Sequence, residues 1–172
     1  MTSSASEQEL KTSPDATVQR QRHWLILATI IVAGFALRLY HIGNHGLFVD
    51  EVYSVLIATG KCDPELAQFD AARPLYFLLL KAWLLISSNE SWLRFLSVIF
   101  GSANIALTYQ MGKLFCSRKA GLAAALMMAL SPMEVHYSQQ VRMYTMGTFL
   151  VLGGTIALVK AYVEDNKKLV AV

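Results

Sequence analysis

A chain of 172 residues has room for one sizeable core. It is 55% hydrophobic, with only 16% charged residues and a mean hydropathy of +0.42. Wholesale disorder is excluded, because low hydrophobicity is its signature, and two cysteines cannot staple a chain this long. The net charge of +3 hints at nucleic acid, but with so few charges the sign pattern along the chain matters more than the sum. The class that fits is an all-α, multispanning membrane protein.

Residues 1–22 are polar and read as a disordered cytoplasmic tail. Their length and polarity argue against a cleavable signal peptide. The run from Trp24 to Tyr40 is nearly all apolar and has the length of a spanning helix, which takes about 20 residues. Arg38 is expected to snorkel to the far headgroups. Trp24 and Tyr40 mark the interfaces.

Residues 41–91 form an acid-rich loop. Within it, Val49, Val52, Tyr53, Leu56 and Ile57 fall on one face at helical spacing, and Gly60 is a natural stop. This predicts a short amphipathic helix lying along the outer membrane surface. Pro74–Ile86 is apolar but covers only roughly 20 Å as a helix, against a hydrocarbon core of about 30 Å. An interfacial or re-entrant helix is expected. Three further spans are expected at about 92–112, 120–135 and 143–160. Residues 163–172 are a second cytoplasmic tail.

The positive-inside rule separates two topologies. If Pro74–Ile86 crosses, the basic turn Lys113–Lys119 falls outside. If it does not, every basic cluster is inside and the acidic loop is outside. The second solution gives four spans with both termini cytoplasmic. It also puts Cys62 outside and Cys116 inside, so they cannot pair.

Asp50-Glu51 opens the amphipathic helix. Acids favour a helix N-terminus through capping and the dipole, so a structural reading is even with a functional one. The functional reading is a general base at the membrane surface. Arg73-Pro74 and Lys81 read either as interfacial anchors or as a phosphate clamp. Glu90 and Arg94, four apart, read as an ion pair along one helix. Residues 131–144 form a polar, aromatic outer loop bearing Arg142. The four histidines are scattered. His41 and His45 are bracketed by Gly43 and Gly46, which argues against a helical metal pair. There is no GxGxxG or P-loop to cradle nucleotide phosphates.

The ordered set Leu37-Arg38, Asp50-Glu51, Arg73-Pro-Leu-Tyr-Phe77, Ser91-Trp-Leu-Arg94, Gly101, Ser131-Pro132 and Tyr137-Ser-Gln-Gln-Val-Arg-Met-Tyr144 resembles the N-terminal part of the GT-C membrane glycosyltransferases. Within them it is similar to the family of protein O-mannosyltransferases and lipid A aminoarabinose transferases, over about residues 24–162. The resemblance implies an inverting transfer of a sugar from a polyprenyl-phosphate carrier to an acceptor hydroxyl on the outer face of an inner or plasma membrane. Asp50 matches the catalytic carboxylate and Glu51 the acid that follows it. Arg73, Lys81, Arg142 and Tyr144 are the expected phosphate- and substrate-binding residues.

No metal or other cofactor is implied, since the lipid-linked sugar is the donor substrate. The implied partners are membrane lipids, that donor, and a lipid, glycan or protein acceptor, with no nucleic acid. The chain departs from the family's pattern in the Ala71-Ala72 that precedes Arg73. It is also much shorter than the family's enzymes, which makes it an N-terminal fragment in this reading. The competing reading is a non-catalytic membrane scaffold or lipid-binding module of the same fold. A transporter is disfavoured because no expected span carries a paired acid.

Overall fold

The computed structural model describes residues 14–44, 46–63 and 73–170. Seven helices and no strand occur among them. They are α1 (Pro14–Leu39), α2 (Val49–Thr59), α3 (Pro74–Leu84), α4 (Glu90–Phe115), α5 (Arg118–Leu130), α6 (Pro132–Ser138) and α7 (Tyr144–Val170). The N-terminal half of the expected tail and His45 lie outside the described residues. The part from Pro14 to Arg22 is helical, continuous with the apolar run behind it. The expected C-terminal tail likewise continues α7 as far as Val170.

The 26-residue α4 is about 39 Å long. It is the central element, packing against α1, α5, α6 and α7. Among the described residues, two segments are both long and apolar enough to cross a membrane, Gln21–Leu39 and Tyr144–Val163. Only 22% and 11% of their residues are buried. Their apolar side chains therefore face outward, the reverse of a core helix in a water-soluble protein. The molecule is a membrane-associated helical protein.

Helix α2 ends on Gly60, whose φ of 71° closes the last turn with N–H bonds back to Leu56 and Ile57. Its orientation is instructive. Glu51, Ser54 and Ala58 are buried, while Val49, Val52 and Tyr53 are exposed. The N-terminal part of the apolar stripe thus points away from the protein body, as a helix at a lipid surface requires, while Ile57 packs against the core. Helix α3 is short, as expected, at about 16 Å.

The segment expected as one helix over 120–135 is two. Ser131 takes extended backbone angles, closing α5 and capping α6. Pro132 is the cause, because its ring disfavours helical geometry in the residue before it. Helix α5 thus ends inside the bundle with orphaned carbonyls.

Arg38 answers that need, which corrects the snorkelling expectation. It is fully buried. Nη1 donates to the Ala129 carbonyl at 3.2 Å and Nη2 to that of Met128 at 3.1 Å. Its Nε donates to Ser138 Oγ at 3.1 Å. One guanidinium so joins α1, α5 and α6. Gln139 Nε2 returns the contact by donating to the carbonyls of Arg38 and Tyr40.

Candidate active site

Asp50 and Glu51 are adjacent in sequence but occupy different environments. Asp50 is exposed in the first turn of α2, and Glu51 is only 1% exposed. The Glu51 carboxylate accepts four hydrogen bonds. Oε1 receives Arg94 Nε at 3.0 Å and the Val141 N–H at 2.8 Å. Oε2 receives Arg94 Nη2 at 2.8 Å and the Phe48 N–H at 2.9 Å. A carboxylate offers about four lone-pair sites, so none is left for a reacting proton. Burial pushes the Glu51 carboxyl up, but the bonds from Arg94, Phe48 and Val141 outweigh it and hold it below the ordinary carboxylate range.

The bidentate partner of Arg94 is therefore Glu51, across the fold, and Glu90, four residues back along the helix, also attracts it. Arg94 also donates through Nη1 to the Ile42 carbonyl at 2.8 Å and through Nη2 to that of Gly46 at 3.0 Å. This pair thus clamps three parts of the chain: Ile42, Gly46 and Phe48 ahead of α2, the start of α2 itself, and the 139–143 loop.

Each clamp residue has a site residue beside it. Asp50 precedes Glu51, and Arg142 follows Val141. Arg142 Nη1 reaches the Asp50 carbonyl at 3.4 Å, and its guanidinium lies 5.7 Å from the centre of the Tyr144 ring. Tyr144 in turn packs against Tyr137 with ring centres 4.8 Å apart. The chain from Asp50 through Arg142 to Tyr144 is continuous.

Tyr144 also lines a cavity of about 470 Å³ between the start of α3 and the first turns of α7. Its walls are Pro74, Leu75, Tyr76, Met143, Met146 and Leu150, with Arg73 and Thr148 supplying polar groups. The pocket is mostly apolar with few polar groups, which is the usual make-up of a small-molecule site. Of the six candidate site residues, Asp50, Arg142 and Tyr144 are brought together in one chain of contacts, and Arg73 joins Tyr144 at the cavity. Lys81 is exposed farther along α3 and does not line that cavity.

Two residues that matter here are misread in the sequence, Arg38 and Arg94, and a third, Asn104, has no partner assigned to it there. Asn104 is fully buried, and its Nδ2 donates to the Thr145 carbonyl at 2.9 Å, tying α4 to α7. For the two arginines the signal is the cost of a charge in an apolar run, which demands an internal partner.

This end of the fold joins an apolar cavity, fixed cations and one exposed carboxylate on a membrane-associated helical frame. The chain matches the family model of dolichyl-phosphate-mannose-protein mannosyltransferases over residues 70–172, more than half its length, and belongs to that family. Arg73, Lys81, Arg142 and Tyr144 fall within the match, while Asp50 and Glu51 precede it. No curated protein and no solved structure matches the chain.

Proposed function

We propose that this chain carries the catalytic end of a glycosyltransferase that moves a sugar from a polyprenyl phosphate to an acceptor hydroxyl on the outer face of the membrane, with inversion. The observation that carries the reading is the Arg142 contact, which sets a cation against the exposed Asp50 turn and beside the Tyr144 wall of the apolar cavity.

In this reading Asp50 is the general base. It takes the acceptor's proton as the hydroxyl oxygen attacks the anomeric carbon. The bond from that carbon to the phosphate oxygen breaks, and the leaving lipid phosphate keeps the electron pair. Arg73 and Arg142 stabilise the charge that develops there. The cavity takes the apolar part of the carrier next to its phosphate. Glu51 is a positioning residue, acting through Arg94 and Val141. A monophosphate donor with two arginines at hand makes no charge demand for a metal.

The topology proposed with it has four crossings: α1, α4, α5 with α6, and α7. Helices α2 and α3 lie on the outer surface. Helices α1 and α5 end near Arg38, and α4 and α7 start near Arg94 and Val141. Arg22, Lys113, Arg118, Lys119 and Lys160 then gather at the opposite end, which the positive-inside rule makes cytoplasmic.

The test is transfer by membranes containing the protein from a polyprenyl-phosphate sugar, with the product's anomeric configuration read by NMR. Inverted product supports the proposal. Retained configuration contradicts the single-displacement mechanism. Binding of the donor without any transfer favours the scaffold reading instead.

A further inference from the structure

Arg94, Ser97, Gly101 and Asn104 follow one another at three- and four-residue steps, so they lie in one row along α4. Each meets the segment 138–145. Arg94 holds Glu51, which in turn accepts from the Val141 N–H. Ser97 Oγ donates to the Arg142 carbonyl at 3.4 Å. Gly101 leaves room for Ser138 Oγ, which a Cβ there would strike. Asn104 Nδ2 donates to the Thr145 carbonyl at 2.9 Å. The row thus holds the main chain at Val141, Arg142 and Thr145, on both sides of Tyr144.

Asn104 is the costly member of the row. It stands in the middle of α4 and is fully buried. Its Oδ1 and the Oγ1 of Thr145 are both buried with no hydrogen-bond partner among the described residues. A half-satisfied amide lowers stability relative to a leucine of similar size. A polar residue of this kind can instead fix register, as a buried asparagine does in a coiled coil.

We propose that Asn104 is a positioning residue whose bond to the Thr145 main chain sets the register of α7 on α4, and with it the placement of Arg142 and Tyr144. The bond ends on a carbonyl, so it fixes the height of the backbone and not one rotamer. Apolar packing alone is non-directional and leaves that height less defined. The consequence for catalysis rests on the reading of Arg142 and Tyr144 as site residues. The register itself rests on the contacts alone.

Ile99 on α4 and Val151 on α7 are both exposed, so spin labels at Ile99→Cys and Val151→Cys report the register. Cys62 and Cys116 are first replaced by Ser. The distance between the labels is measured by pulsed EPR in the membrane-embedded protein. Thermal midpoint and sugar transfer are measured on the same variants without labels. Asn104→Leu removes the donor together with the unmet acceptor, and Asn104→Ala, which cannot clash, is read in the same way. The expected result is a shifted distance, or a distribution about twofold broader, with transfer lowered about tenfold. The midpoint of Asn104→Leu stays the same or rises. Thr145→Val keeps the carbonyl and removes only the hydroxyl, so distance and transfer hold.

An unchanged distance in both Asn104 variants overturns the inference. So does an equal change in Thr145→Val, since general packing then sets the register. A shifted distance with full transfer overturns it too, because Arg142 and Tyr144 are then placed without Asn104. If the unaltered protein transfers no sugar, the transferase reading fails, while the distance still decides whether Asn104 sets the register.

Discussion

Arg94 grips Glu51 through two parallel bonds, Nε to Oε1 at 3.0 Å and Nη2 to Oε2 at 2.8 Å. Both side chains are almost wholly buried, at 4% and 1% exposed. The pair brings together residues 43 positions apart, and it holds Asp50 on one side and Arg142 on the other. Removing one partner of a buried pair strands the other's charge. Glu51→Gln is expected to cost about 3–5 kcal/mol of stability, read as a fall in thermal midpoint in detergent. Arg94→Lys is expected to lose stability as well, because an ammonium cannot reproduce the bidentate fork. A Glu51→Gln protein as stable as the original contradicts the clamp.

The same carboxylate sets an acid limit. Its folded-state pKa is lowered, so its contribution is fully present above its ordinary value of 4.5 and is lost as pH falls through the lowered value. The midpoint difference between the unaltered protein and Glu51→Gln should be constant from neutral pH down to about 4.5 and shrink below it. A difference that grows on acidification has the wrong sign for this account.

Gly101 offers a test of the second buried arginine. A Cβ there would collide with Ser138 Oγ and come within 3.1 Å of Arg38 Nε. Gly101→Ala is expected to destabilise by about 1–3 kcal/mol through this overpacking. It should also loosen the Arg38 junction of α1, α5 and α6. Faster hydrogen exchange at the end of α5 checks this. Unaltered exchange there contradicts it.

Topology is testable through the cysteines. Cys62 is half-buried and Cys116 exposed. In intact cells or right-side-out vesicles, Cys62 should react with a membrane-impermeant thiol reagent and Cys116 only after permeabilisation. The reverse order overturns the four-crossing arrangement.

Local features of the fold are legible in the sequence, and distant partnerships are not. The 3.6 spacing from Val49 to Ile57 and the stop at Gly60 foretell α2, because both act within a few residues. Pro74–Leu84 is recognisable by its length. The break at Ser131 was also available from Pro132, but the continuous apolar run masked it. Arg38 and Arg94 were misassigned for a different reason. Their partners lie as far as 100 and 52 positions away, and an exposed arginine at an interface has the same local sequence as a buried one. Glu51 and Asp50 look alike as neighbours. Only the four donors converging on Glu51 tell the locked acid from the one left open.

The central claim is that Asp50, and not Glu51, accepts the acceptor's proton. The most direct measurement is the turnover of Asp50→Asn in membranes, with insertion and thermal midpoint checked alongside. Asp50 is exposed, so the substitution should leave folding and donor affinity unchanged while lowering kcat by about 10²–10⁴-fold. Turnover close to that of the unaltered protein, in a variant that inserts normally, would contradict the account.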